Sequence, residues 1–339
     1  MKIALDAMGG DEAPEALVTG AKLALEISAS KCPNLQIILF GPKSTLEPHF
    51  EQGLPERLEF YDISDSESSS DDPHIAGADP DSIIRTALRK HREGFCDAVV
   101  SAGPTGAQVL ASLLELEKCS GITRPAVGAA LPALYGCCYL IDVGASLVAS
   151  AHHLVQFAAM GIIYAREILN IAEPRVGLLN VGVEEQIGER NVIEAYRLLT
   201  ESGFLFVGNV EGCDVLKGKA EVIVTNGFTG NVLLKFLEGV PEFLTKLLKP
   251  AEDERLLNHL DRQLDYQQFG GEPLLGIRGV SIICHGASSP RAIASAILRA
   301  AMIVEKRLPE KIESFLEGKF TSYFSRIKYL RSFRRGLRT

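Results

Sequence analysis

Six apolar runs of this chain end on a residue able to hold a proton or an anion, and glycine follows within three positions each time: Asp6, Ser101, Asp142, Asn180, Asn226 and His285. The fullest case is Glu221 to Lys235, EVIVTNGFTGNVLLK. There Val222-Ile223-Val224 reads as a buried strand, and Asn226-Gly227-Phe228-Thr229-Gly230-Asn231 leads into a helix that continues through Lys235. Gly227 and Gly230 permit close or left-handed backbone, and Thr229 or Asn231 can cap the helix. Such a junction leaves amide N–H groups at the positive end of a helix, where an oxyanion fits. The pattern recurs at Asp97 to Ala107, where Ser101, Gly103, Thr105 and Gly106 join a strand to a second helix.

Other strand ends add to the inventory. Asp6, Gly9, Gly10 and Asp11 follow the first strand, and Asp142 and Gly144 follow a later one. Asn180, Gly182 and Glu185 close another strand, and His285, Gly286 and Ser288 close the last. If these ends converge, the cleft offers backbone donors, amides and hydroxyls but few nucleophiles, which suits placing an anion more than forming a covalent enzyme intermediate. The chain has no Gly-x-Ser-x-Gly elbow, no Walker loop and no Gly-x-Gly-x-x-Gly fingerprint.

Elements must position these residues, and their order is regular. Short β-branched runs at 2–5, 35–40, 58–61, 97–100, 126–131, 138–142, 176–179, 205–208, 222–224 and 280–284 alternate with helical spacing at 81–92, 152–169 and elsewhere. Such alternation predicts an α/β fold with a doubly wound, mostly parallel sheet, whose ligands gather at strand carboxyl ends. Residues 1–305 read as one α/β domain, with room for two lobes, and 306–339 as a basic amphipathic tail. The stretch 63–80, DSESSSDDPHIAGADP at its centre, reads as an exposed loop.

Composition narrows the class. With 46% hydrophobic residues among 339, the chain has ample core. No apolar run reaches membrane-span length and the start lacks a signal-peptide pattern, so a cytoplasmic location is expected. Seven cysteines without a Cys-x-x-Cys read as reduced thiols, not metal ligands. The net charge of −8 argues against nucleic acid, although seven basic residues and no acid lie between 318 and 339.

Taken in order, these motifs resemble the acyl-ACP:phosphate acyltransferase family, PlsX. The resemblance rests on LDAMGGD at 5–11, VSAG at 100–103 with Thr105-Gly106, GITRPA at 121–126, DVGA at 142–145 and PRVGLLN at 174–180. GNVEG at 208–212, Asn226-Gly227-Phe228 with Gly230-Asn231-Val232, Gly270-Gly271 with PLLG at 273–276, and His285-Gly286 with Ser288-Ser289 complete it. What it implies is transfer of a fatty acyl group from acyl carrier protein to inorganic phosphate, feeding phospholipid synthesis. It also implies a Rossmann-like sheet of the isocitrate/isopropylmalate dehydrogenase kind, with a helical excursion near 229–270, a homodimer, no metal or organic cofactor, and peripheral contact with the inner face of an anionic membrane. Catalytic roles would fall to His285, Asn226 and Asp142, and substrate binding to the glycine loops with Phe228, Asn231 and Lys235.

The chain departs from the family pattern at several points. Pro104 stands where the pattern has asparagine, Ile187 where it has lysine, and a basic segment before Asp81 is missing. Lys235, Arg85 and Arg291 are the residues that can compensate. These losses motivate an alternative, a catalytically weakened relative that binds acyl carrier protein or phosphate as a membrane-associated scaffold. In the tail, Phe320, Tyr323, Phe324, Ile327 and Leu330 make an apolar stripe among basic residues, as in a helix lying on anionic lipid or against acidic carrier protein.

Overall fold

Aliphatic runs too short for helices pair into one sheet of 11 strands, whose inner strands are buried on both faces while the edge strands β3 and β8 are partly exposed. The strands are β1 (Lys2–Asp6), β2 (Gln36–Gly41), β3 (Leu58–Asp62), β4 (Ala98–Ser101), β5 (Ala126–Pro132), β6 (Cys137–Ile141), β7 (Val176–Leu179), β8 (Phe206–Val210), β9 (Val222–Val224), β10 (Glu272–Leu275) and β11 (Ser281–Ile283). Their order is β3-β2-β1-β4-β11-β10-β5-β6-β9-β7-β8. The computed structural model describes residues 1–30, 32–51, 53–63, 77–248 and 270–320.

Helices cover both faces. They are α1 (Glu15–Ser28), α2 (Ile83–Arg92), α3 (Thr105–Leu116), α4 (Ala151–Glu167), α5 (Arg190–Glu201), α6 (Gly227–Leu248), α7 (Pro290–Lys306) and α8 (Leu308–Phe315). Alternate strand residues face opposite ways, so Ile3 and Leu5 join one core with Leu17, Phe157 and Ile293, while Ala4 joins the other with Ala87, Ala111 and Leu234. Thus α1, α4 and α7 lie on one face and α2, α3 and α6 on the other, which is the doubly wound arrangement expected.

The sheet changes direction in its middle. From β3 to β11 all neighbours are parallel, and from β6 to β8 they are parallel again. Between these halves, β10 runs antiparallel to β11, β5 antiparallel to β10, and β6 antiparallel to β5. Three reversals leave the two halves pointing opposite ways. The carboxyl ends of β1, β4 and β11 therefore reach one edge of the sheet, and those of β6, β7, β8 and β9 reach the other. This corrects the expectation that all the glycine-bearing ends share one cleft. Pairing of β5 with β6 as a hairpin is the local cause, together with β10, which sequence patterning left unassigned.

The first part of the basic tail is built into the body. In α8, Leu308 and Ile312 are each 1% exposed, and Lys311 pairs with Glu167 of α4. The remainder of the tail from 321, the excursion at 249–269 and the acidic serine-rich stretch at 64–76 lie outside the described residues. Among the described residues no helix is long and apolar enough to cross a membrane.

Candidate active site

At the first edge, the loops after β1, β4 and β11 are tied to one another by a buried carboxylate. Asp6 accepts the N–H of Met8 and of Gly9 on Oδ1, each at 3.1 Å. Its Oδ2 accepts the Ser101 hydroxyl at 2.7 Å, and that hydroxyl accepts the Gly103 N–H at 3.0 Å. Burial pushes the Asp6 carboxyl above the usual range, against the Ser101 and backbone hydrogen bonds that pull it down. Asp11 N–H donates to Gly286 O at 2.8 Å, joining the third loop. Only glycine fits at position 9, where a Cβ would stand 2.8 Å from both Asp6 Oδ2 and Gly103 N.

This tying leaves donors unused. Pro104 precedes α3 and offers no capping side chain. Among the described residues, the N–H groups of Thr105, Gly106 and Ala107 have no acceptor, while Gln108 N–H already bonds Pro104 O. Pro104 thus removes one amide, as its chemistry requires, but the three behind it point from a helix start. Across the same edge, His285 Nδ1 accepts the Ala287 N–H at 3.1 Å, so the neutral ring carries its proton on Nε2. Ser289 caps α7 through Ala292 N–H at 3.3 Å, and Ser288 N–H is held by His285 O.

The second edge uses similar parts differently. Asp142, fully buried, accepts the N–H of Val127, Gly144 and Ala145 on Oδ1 at 3.2, 3.0 and 2.9 Å. Its Oδ2 and the nearby Ser146 hydroxyl are buried without partners, and burial pushes the carboxyl up to about 6. Asn226 Oδ1 caps α6 by accepting Thr229 N–H at 2.9 Å, and Gly227 N–H goes to Ser146 O at 2.8 Å. Asn231 Nδ2 holds Val143 O. So the amides that the Gly227 junction was expected to leave free are largely spent inside the protein. The loop after β7 also closes on itself: Asn180 Nδ2 donates to Ile187 O, and Asn209 Nδ2 to Glu184 O. Gly182 lies in that loop, and Glu185 stands 4.0 Å from Arg197.

Asp6, Gly9, Gly10, Asp11, Ser101, Gly103, Thr105, Gly106, His285, Gly286 and Ser288 therefore meet at the first edge. Asp142, Gly144, Asn180, Gly182, Glu185, Asn226, Gly227, Phe228, Gly230 and Asn231 gather at the second, so Asn226 and Asp142 do not meet His285 within one chain.

Helix α6 connects the edges. It starts at the second and, 7 to 11 residues or about 10–17 Å later, brings Leu234, Lys235 and Glu238 to the first. Leu234 and Glu238 line a cavity with Leu131, Glu272, Cys284, His285 and Ser288. Leu131, Leu234 and Glu238 also line an adjoining apolar cavity with Pro132, Leu216, Leu237, Val240 and Pro241. The two make one narrow groove, about 40 Å³ at the His285 end and about 20 Å³ at the Pro241 end. Sequence reasoning found Lys235 but missed Glu238 and Glu272. The available signal was one acid within each of two apolar runs, LLKFLEGV and EPLLG.

Of the cations proposed to offset lost basic residues, Arg85 is committed to the buried Glu115 at 2.8 Å and Lys235 to Glu238 at 2.8 Å. Arg291, in the first turn of α7, has no ion partner among the described residues. The described residues hold one group with metal-like ligand spacing, Glu211, Cys213 and Asp214, and it lies outside this site.

A family profile described as "Fatty acid synthesis protein" matches residues 1–311. A protein of Heliobacterium modesticaldum named phosphate acyltransferase is 43% identical over 335 residues, covering 94% of this chain and 98% of that protein. One of Moorella thermoacetica with the same name is 40% identical over 322 residues, covering 91% and 94%. Among solved structures, a phosphotransacetylase from Streptococcus pyogenes aligns with a TM-score of 0.64 at 15% identity, over 90% of this chain and 94% of that one. A branched-chain phosphotransacylase from Enterococcus faecalis gives 0.58 at 14%, over 90% and 99%. These last two share the fold. The chain belongs to the fatty acid synthesis protein family, and the resemblance to acyl-ACP:phosphate acyltransferases holds over nearly its whole length.

Proposed function

We propose that this chain, as a member of that family, moves a fatty acyl group from acyl carrier protein to inorganic phosphate, and that it does so at the first edge. One observation carries the placement: an apolar groove opens on His285 and Ser288, at the edge where three helix-start amides have no acceptor among the described residues. A phosphate is a strong acceptor for such amides and for the helix dipole behind them, and Arg291 adds charge nearby. The groove head sets the thioester, with the first methylenes of the acyl chain against Leu131 and Leu234.

The chemistry asks little more of the protein. A phosphate oxygen attacks the thioester carbon, the C–O bond forms and the C–S bond breaks. The proton of hydrogenphosphate ends on the departing sulfur, so the step balances without a cofactor. Holding the two substrates together supplies most of the acceleration, and His285 Nε2–H is the donor for the carbonyl oxygen as charge develops. Asp6, Gly9, Gly10, Asp11, Ser101 and Gly103 shape the anion loop. Asp142, Gly144, Asn226, Gly227, Gly230 and Asn231 anchor the start of α6 and so aim its groove-lining residues, while Phe228 is exposed there.

A homodimer and contact with an anionic membrane belong to the same reading. Their support is the outer stripe of α6, where Phe228, Val232, Phe236, Phe243 and Leu247 are each more than half exposed. Sedimentation velocity and co-sedimentation with anionic vesicles test them.

The deciding assay mixes the purified chain with acyl-ACP and phosphate and measures acyl phosphate. Turnover supports the reading; intact binding of both substrates without turnover refutes it and leaves the scaffold alternative that Pro104 and Ile187 suggested.

A further inference from the structure

Two carboxyls at the groove head, Glu238 and Glu272, have no task in the chemistry above, and of these Glu238 is held by Lys235. Glu272 opens β10 opposite Ile283, which stands two residues before His285, and shares a cavity lining with His285. It lines the cavity with Glu238, Cys284, His285 and Ser288. The charged and titratable groups around it come from three elements. Helix α6 contributes Glu238, paired at 2.8 Å with Lys235. Strand β11 and its loop contribute Cys284 and His285, and β6 contributes Tyr139, whose hydroxyl feels the Glu272 charge. The β5 wall, Ala129 to Leu131, carries none.

Two carboxylates in one small cavity cannot both ionise cheaply. Glu238 has the lysine, so Glu272 is the one that keeps its proton below about pH 7. Burial foremost, then the charge of Glu238, push the Glu272 carboxyl up to about 7, with Lys235 opposing. The Cys284 thiol, pushed up to about 12 by burial, stays protonated and is no rival nucleophile.

We propose that Glu272 is a second hydrogen-bond donor at the groove head, its protonated carboxyl facing the thioester oxygen and holding the charge that gathers there as phosphate attacks. The proposal rests on the acyl-transfer reading above. As a carboxylate, Glu272 would repel both the dianionic nucleophile and the developing oxyanion. As an acid it stabilises the second without losing its proton.

The test is the pH dependence of kcat for acyl-ACP and phosphate in the wild type and in E272Q, E272A and E238Q, each checked for folding by thermal melting. Above about pH 7 the wild type should lose close to tenfold in kcat per pH unit. E272Q keeps an N–H donor that does not titrate, so it should match wild-type activity at pH 6 within about threefold and lose the fall. The ratio of the two profiles cancels the titration of phosphate itself. E272A should lose about 100-fold in kcat at pH 6, with KM for acyl-ACP within about threefold. E238Q, which removes the neighbouring charge and frees Lys235, should move the fall to lower pH. An alkaline fall in E272Q like that of the wild type, or E272A as active as the wild type, overturns the donor role while acyl transfer stands. A wild-type protein that makes no acyl phosphate overturns the acyl-transfer reading and the donor role with it.

Discussion

Asp6 and Asp142 end strands in opposite halves of the sheet, and each accepts the amides two and three residues further along the chain. What differs is which atoms are left over. At the first edge both carboxylate oxygens are bonded, and a helix start keeps amides with no acceptor among the described residues. At the second the helix amides are consumed by Ser146 O and Asn226 Oδ1, and a carboxylate oxygen goes unpaired. Unused donors mark a place to hold an anion, whereas a closed junction marks an anchor. The same sequence pattern, strand then glycine then helix, builds both.

Substitutions at matched glycines probe this contrast most strongly. A Cβ on Gly230 would stand 1.9 Å from Asp142 O, and one on Gly227 2.5 Å from Ser146 O. Gly230→Val should cost about 4 kcal/mol and lower Tm by roughly 10 °C. Gly227→Val should follow it, losing activity through the fold and not through the anion site. A Tm within about 2 °C of wild type for both would show that the second edge is not closed packing.

Next in size is the pH dependence of stability that Asp142 imposes. Its folded carboxyl titrates near 6 against 3.8 unfolded, so the native state holds the proton more tightly. Stability should therefore fall as pH rises from about 4 to 6, by up to about 3 kcal/mol, and stay lower above that. Asp142→Asn should flatten this slope in urea melts; an unchanged slope would assign it elsewhere.

Removing the clamp at the first edge should matter less. Ser101→Ala leaves Asp6 Oδ2 and the Gly103 N–H without their partner, at a cost of about 1–3 kcal/mol. Smallest in stability is Gly103→Ala, whose Cβ would meet Ser101 Oγ at 3.2 Å and little else. Its Tm should stay within about 3 °C while KM for phosphate rises about tenfold. A reversed order, with Gly103→Ala unfolding and Gly230→Val merely slow, would exchange the roles assigned to the two edges.

The strand-helix alternation and the glycine junctions were legible because apolar periodicity and backbone permissiveness are local properties. The direction of each half was not, since it depends on which strands pair. The reversal comes from the β5–β6 hairpin around Tyr135-Gly136 and from β10, a four-residue run containing Pro273 whose character comes from its neighbours. For the same reason the sequence, which put Asn226 among the catalytic residues, did not show that its Oδ1 caps α6. Glu272 was passed over because its surroundings, and hence its proton, are set by α6 and β11, distant in sequence.

Pro241 has a mechanical meaning for α6. Lacking an N–H, it gives the Leu237 carbonyl no helical bond, so α6 bends most cheaply where Leu237, Val240 and Pro241 form the far wall of the groove. Any widening of the groove beside Leu237, Val240 and Pro241 begins at that joint, while the Asn226 cap keeps the start of α6 in place.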